Sequence, residues 1–421
     1  IAAEHQHDSN LKPRLYLHLD MNCFYAQVEQ LCYNLYGIPV IVGAWRKGNG
    51  IPRGIVATAS YEARKFNIKT GMSALEATKL CPYVVPLQVH YEKYQAISRE
   101  IECVLDEFAK DIEGYSMDEY FMDISFMLGR PRSDLKSYCV RLKNELYKQT
   151  GLVCSLGVSY SKTYAKLASD LYKPNGMCLV LNKNEAREKL YPLALDEVWG
   201  IGSRRYAKLK ASGLVTIQDA VNKGSRIFVK LFGKLFGEML YLTVSGQDCA
   251  RIMENKDHIP KEVSYMHTFS HWTIDLDRII GEISKSISQL CYRMRGYQRK
   301  AEHFGAYIRF QDDAWNGAKI LFSTDGLTNL DEPVLSVCLD HAIPLLKKCL
   351  DEGQRVRGIG VYTMNMDTGD QLQLFYKEDV RQGHLYTAID KINNQFGQGT
   401  VTTASMKCFV EGKTHFLERN N

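Results

Sequence analysis

No two cysteines of this chain stand in a C-x-x-C pair: the twelve are scattered singly, with Cys81, Cys103, Cys154, Cys291 and Cys338 in apolar surroundings. That pattern speaks against a zinc site or a disulfide framework and for free thiols buried in a reducing cytoplasm. Long apolar runs are missing as well. None approaches the roughly 20 residues a membrane span needs, and no secretory leader opens the chain, so a soluble, cytoplasmic protein is expected. Neither sign of charge dominates. The 53 Lys and Arg against 48 Asp and Glu leave a net +5, which permits a nucleic-acid partner without requiring one. Repeats and low-complexity tracts are absent, and the polar opening Ile1–Asn10, without an initial methionine, reads as a trimmed end. What the chain has is apolar bulk: 421 residues, 45% hydrophobic, exceed what one core organises, so two to four domains are expected.

Strand-like and helical periods alternate through the first part of the chain. The run Leu15–Leu19 (LYLHL) is β-compatible and ends in Asp20, the pattern of a buried strand with an acid at its tip. Helical spacing follows from Phe24 to Leu31, then a strand over Pro39–Gly43 and a Gly- and Lys-rich turn. Ser73 to Glu76 reads as the capping box of a helix that stops near Pro82. Helices over Tyr94–Phe108 and Leu135–Gln149 bracket two short strands, between Ile112 and Ser125, folded about Asp118 and Glu119; a strand over Val153–Ser159 comes next. This order predicts one α/β sheet domain, residues 11–23 and 89–175, with a small subdomain inserted at 24–88. The helical, short-looped stretch Leu193–Gln247 predicts a small α domain within 176–247, and the polar residues 248–260 suit a linker. Residues 261–410 run β-α-β-β-α-β, a split βαβ unit, followed by a helix over Tyr386–Phe396 and a strand over Thr400–Met406.

The acids carry the chemistry. Asp118 and Glu119 are neighbours at the turn of the predicted hairpin, and neighbours on a straight strand face opposite sides, so both converge only at a turn or bulge. An isolated Asp-Glu pair is ordinarily a solvated turn. Here the flanks are apolar, and two like charges held together there are relieved by a divalent cation. Oxygen-only ligands favour Mg²⁺. Asp20, at the tip of another strand, would complete a site for two ions roughly 3.5–4 Å apart, as in-line phosphoryl transfer uses.

The string S-M-D-E-Y-F-M-D-I around Asp118 and Glu119 resembles the S-[IM]-D-E-[AVC]-[YF]-[LVM]-D signature of the Y-family DNA polymerases. D-M-N-C-F-Y-A-Q-V-E, from Asp20, resembles their first metal-binding motif. The resemblance runs from about Leu15 to Met406. It implies an α+β multidomain, right-hand fold with palm, small fingers, helical thumb and C-terminal little finger, and a template-directed, low-fidelity polymerase that copies past damage with two Mg²⁺. Asp20, Asp118 and Glu119 become the metal ligands, with the Met21 carbonyl a further one. Tyr25 falls on the steric gate that meets the sugar 2′ position, with Phe24 packed under it. Tyr61 and Arg64 in Y-E-A-R resemble the triphosphate-binding pair, Thr58 lies near them, and Lys166 matches a lysine that also reaches the triphosphate. Less is claimed for Lys173. Where many members carry a second acid, this chain has Asn22, as the catalytic subunit of bacterial DNA polymerase V does; this points to a bacterial branch.

For DNA, Gly200-Ile201-Gly202 with the helical pattern after it has helix-hairpin-helix spacing, and Arg204, Arg205 and Lys208 follow. Glycines let backbone N–H groups approach a phosphate, and a helix start favours the anion. Arg293, Arg295, Arg299, Lys300 and Arg309 suggest a second surface along the duplex backbone, although such a run is more often ordinary solvated surface. Gln371-Leu372-Gln373-Leu374-Phe375 resembles the Q-L-x-L-F peptide by which bacterial polymerases engage the sliding clamp; an edge strand is the alternative reading. Primer-template DNA, dNTP and the clamp are thus the expected partners of a monomeric enzyme. Two other readings stay open: a nucleotidyl cyclase, which shares the palm-type sheet and its acids, and a catalytically silent DNA-binding adaptor derived from a polymerase. The Gly-Ile-Gly hairpin and the C-terminal domain count against the first, and the three acids against the second.

Overall fold

The computed structural model describes residues 13–45, 50, 52–248, 252, 260–310, 317–368, 380–397 and 399–402. The chain divides at 258/259 into two compact units.

The first unit is built on β1 (Tyr16–Met21), which is buried along its whole length. α1 (Phe24–Cys32) follows, then β2 (Val40–Trp45), β3 (Arg53–Ala59), α2 (Tyr61–Arg64), α3 (Ala74–Leu80) and β4 (Val85–Leu87). Next come α4 (Tyr91–Asp106), β5 (Ile112–Gly114), β6 (Glu119–Asp123), α5 (Arg132–Thr150), β7 (Cys154–Ser159), α6 (Lys162–Asp170) and β8 (Met177–Val180). Five of these strands form one sheet in the order β5-β6-β1-β7-β8, antiparallel except for β7 and β8. As the central strand, β1 is covered on both faces, which is why LYLHL reads as a nearly continuous apolar run. Gly157 on β7 lets α6 lie close: a Cβ there would meet the Ala165 carbonyl oxygen at 2.0 Å. The smaller sheet β3-β2-β4 has its own core, including Ile41, Val56, Ile68 and Val84. The Ser73 hydroxyl accepts from the Glu76 N–H, which is the N-cap half of the expected capping box.

Three expected boundaries are blurred by shared packing. α1, expected in the inserted subdomain, packs on β2 and β3 of the small sheet, while its Phe24, Ala26 and Val28 also enter the core that the large sheet builds. A separate α domain was expected from residue 176, yet β8 is the fifth strand of the large sheet. Helices α7 (Lys183–Lys189), α8 (Ser203–Ala211), α9 (Ile217–Lys223), α10 (Ser225–Phe232) and α11 (Lys234–Val244) then share one core with Tyr164, Leu167 and Ala168 of α6 and with Cys178 and Val180 of β8. Asp248, expected to open the linker, is still held: its carboxylate accepts from the Thr163 N–H and hydroxyl, each at 3.3 Å.

The second unit follows the expected β-α-β-β-α-β order: β9 (Ser264–Thr273), α12 (Leu276–Gly296), β10 (Ala301–Phe310), β11 (Ala318–Thr328), α13 (Asp331–Asp351) and β12 (Val356–Met364). Its antiparallel sheet runs β11-β10-β12-β9. Both helices pack on the sheet to form the core, while in β11 buried and exposed residues alternate. α14 (Val380–Phe396) follows. Thr400 to Thr402 are not a strand, and the rest of the strand expected there lies outside the described residues. Among the described residues no helix is long and apolar enough to cross a membrane.

Candidate active site

The sheet register brings the distant acids together. Asp20, the penultimate residue of β1, stands directly opposite Glu119, the first of β6. The hairpin turn closes on the same point, because the Met21 N–H donates to the Asp118 carbonyl at 2.8 Å. Asp20 is buried, and the loss of water together with the charges of Glu119 and Asp170 outweighs Lys173, pushing its carboxyl up to about 7. Burial and the Glu119 charge raise Asp118 too, against the Ser116 hydroxyl, which donates to it at 2.6 Å.

Two ammonium groups answer the acids. Lys166 of α6 donates to Glu119, and Lys173, just after α6, donates to Asp20 at 2.5 Å and pairs with Asp170 at 2.5 Å. Among the described residues no three acidic, histidine or cysteine side chains close on one point. Each of Asp20 and Glu119 is turned to its lysine instead. Lys173 therefore stands in the centre of the site, where sequence reasoning gave it little weight. The Asn22 side-chain carbonyl accepts from the Asn175 N–H at 2.6 Å, so the residue at the first acidic motif's variable position ties the Lys173 turn to the sheet. All-oxygen donors, excess negative charge, and Asp20 and Asp118 carboxyls raised by burial and further by the Glu119 charge fit a hard divalent cation such as Mg²⁺.

Of the predicted nucleotide contacts, Lys166 bonds to one of the acids, and Tyr25 and Tyr61 lie close enough to feel their charge. Tyr25 is half-buried on α1, stacks on Tyr94 with ring centres 4.2 Å apart, and is close enough to Asp118 to feel its charge. Phe24 is buried beside it. Tyr61, at the start of α2, feels the charges of Asp20, Lys173 and Arg64. The Arg64 guanidinium lies 4.8 Å from the Tyr61 ring centre and donates to the Ala59 carbonyl at 3.0 Å. Thr58 is half-buried in β3, opposite Val42.

Gly200 has φ +90, a left-handed turn that glycine adopts readily, and Gly202 caps the start of α8. Arg204 is exposed. Arg205 braces the hairpin, donating to the Gly200 carbonyl at 2.6 Å and lying over Phe236. In the second unit Arg293 is exposed, with one N–H on the Ser264 carbonyl, and Arg299 is half-buried. Arg295 is engaged within its own unit. Its guanidinium is buried, donates to Asp331 at 2.7 Å and to Asp390 of α14 at 2.6 and 3.0 Å, and lies over Tyr386. With a further N–H on the Asn329 carbonyl at 2.8 Å, it holds α14 to the unit. Gln371, Leu372, Leu374 and Phe375 lie outside the described residues.

Residues 19–170 match the model of the impB/mucB/samB family, and residues 260–374 match that of the family's C-terminal domain. DNA polymerase IV of Oceanobacillus iheyensis is 30% identical over 94% of this chain and 93% of its own length. DNA polymerase IV of Treponema denticola is 30% identical over 87% and 89%. Among solved structures, a Y-family DNA polymerase chimera of Dbh and Dpo4 superposes with a TM-score of 0.71 at 24% identity, over 84% of this chain and 99% of that one. The insertion ternary complex of Dbh DNA polymerase gives 0.54 at 25% identity with the same coverage. On these grounds the chain belongs to the impB/mucB/samB family of Y-family DNA polymerases, the DNA-directed enzymes of translesion synthesis.

Proposed function

We propose that this polymerase adds dNTPs to a primer 3′-OH at the junction of β1, β6 and α6, with Asp20, Asp118, Glu119 and the Met21 carbonyl holding two Mg²⁺. The observation that carries this is the register: Asp20 opposite Glu119, with Met21 bonded to Asp118. Bound there, the ions would supply charge neutralisation for the attacking oxygen and the triphosphate. The protein's own part is positioning. Lys166 and Lys173, now spent on Glu119 and Asp20, are the flexible cations nearest the acids and suit an incoming triphosphate, as Tyr61 and Arg64 do from α2. Tyr25 bars the 2′-hydroxyl of a ribonucleotide, with Phe24 behind it and Thr58 near the triphosphate. No side chain needs to act as general base.

In this reading residues 11–23 and 89–175 serve as palm, 24–88 as fingers, 176–247 as thumb and 261–410 as little finger, adjusted as α1 and β8 require. Gly200, Gly202 and Arg204 hold duplex phosphates without reading sequence, and Arg293 and Arg299 add to this from the little finger. The small fingers sheet leaves base-pair shape loosely checked, which suits error-prone copying. The peptide from Gln371 to Phe375 would dock Leu374 and Phe375 in an apolar pocket of the bacterial sliding clamp, and the enzyme works as a monomer at the nucleoid in the cytoplasm. Primer extension opposite undamaged and abasic templates with Mg²⁺ tests the whole. Wild type extends on both and Asp118→Ala on neither; extension that survives in Asp118→Ala overturns the site. Deleting residues 371–375 removes only clamp-dependent stimulation.

A further inference from the structure

We infer that Glu29, which takes no part in the chemistry above, is a positioning residue for sugar discrimination, holding the gate through Tyr94 and Lys93; this rests on Tyr25 being the gate. Glu29 lies one turn after Tyr25 on α1, so the two side chains share a helix face. Its carboxylate is wholly buried. It is nonetheless fully bonded, accepting from the Tyr94 hydroxyl at 2.6 Å, from the Lys93 ammonium at 3.0 and 2.9 Å, and from His90 Nδ1 at 3.1 Å.

All three donors come from the start of α4, where the chain returns from the fingers strand β4. Tyr94 works at both ends: its hydroxyl is fixed on Glu29 while its ring lies nearly parallel, at 14°, against Tyr25. Tyr91 from the same turn meets the Tyr25 ring edge-on, at 6.2 Å and 88°. The gate ring is thus set by a stack whose lower ring cannot slide without breaking a charge-assisted bond between two buried side chains, where such bonds are strong. A gate discriminates by fractions of an ångström of clearance from one hydroxyl, so its accuracy is inherited from whatever fixes Tyr94.

A merely structural Glu29 would lower dNTP and rNTP use together. A positioning Glu29 changes their ratio. The test is single-nucleotide incorporation by the full chain, comparing kcat/KM for dNTP and rNTP in wild type, Glu29→Gln, Tyr94→Phe and, as control, Tyr25→Ala. Tyr94→Phe keeps the ring and removes only the hydroxyl, so it decides the matter if Glu29→Gln fails to fold. The expected result is a ratio reduced about tenfold in Tyr94→Phe and Glu29→Gln, within the cost of a small misplacement at an active site, with dNTP use nearly kept. If Tyr25→Ala collapses the ratio while Tyr94→Phe leaves it unchanged or lowers both substrates equally, this inference falls and the gate stands. If Tyr25→Ala leaves the ratio unchanged, the gate assignment fails and the inference with it.

Discussion

Asp20 and Glu29 are two buried carboxylates nine residues apart on one strand-turn-helix, and they meet opposite fates. Glu29 is the more deeply buried, at 0% exposure against 8% for Asp20. Yet its carboxyl is held below the ordinary range, whereas that of Asp20 is pushed up to about 7. Burial raises both, so bonding decides. Glu29 receives three donor groups, while Asp20 has one lysine and two like charges nearby. A carboxylate whose lone pairs are filled is scaffold; one that is buried, crowded and under-bonded keeps coordinating capacity. Arg295, saturated by Asp331 and Asp390, belongs with Glu29 in this division.

The largest effect should come from breaking the under-bonded side. Asp20→Ala is expected to slow single-turnover primer extension by at least about a thousandfold, the equivalent of roughly 4 kcal/mol of barrier. The melting temperature should hold or rise, because a buried like charge is removed. A large loss of stability would place Asp20 with the scaffold and erase the contrast. On the saturated side the signs reverse. Arg295→Leu strands the buried Asp331 and the half-buried Asp390 and is expected to destabilise the second unit by about 3 kcal/mol, read by denaturant unfolding, whereas the salt dependence of DNA binding stays as it was. A shallower salt slope at unchanged stability would return Arg295 to the DNA surface.

Much of this was legible in the sequence. The apolar run ending in Asp20, the adjacent acids in an apolar hairpin and the β-α-β-β-α-β order are local patterns with a period or a spacing, and the structure repeats them. What was not legible depends on partners far away in the chain. Arg295 looked like one more cation in a basic run, and nothing nearby announces Asp390, 95 residues on. Lys173 carries less weight than Lys166 in the sequence, and nothing near it announces Asp20, 153 residues away, on which its ammonium closes. β8 is only four residues long and enters the large sheet through pairing with β7, which no periodicity of its own reveals.

A smaller effect separates the two carboxylates by pH. Because donors lower Glu29 from its ordinary 4.5, the folded chain binds fewer protons than the unfolded one in that range. Its contribution is complete above that ordinary value and is lost as the pH falls through the folded pKa. Urea midpoints at about pH 7 and about pH 4 should therefore converge between wild type and Glu29→Gln at the acid end. A gap that stays constant with pH would mean that the donors do not set the acidity of Glu29.

The smallest effect tests whether an exposed cation is free of this division altogether. Arg204 stands exposed at the start of α8, next to the left-handed turn at Gly200, while its neighbour Arg205 is spent bracing that turn. Arg204→Ala should leave the fold unchanged, weaken duplex binding equally for all sequences, and reduce the slope of log K against log salt by about 0.9, one phosphate contact. Arg205→Ala should instead loosen the hairpin, so its loss of binding would come with a lower melting temperature. If the two variants behave alike in both measurements, exposure next to a glycine turn is no guide to which arginine meets the phosphate. The hairpin as a whole, rather than a single guanidinium, would then be the contact.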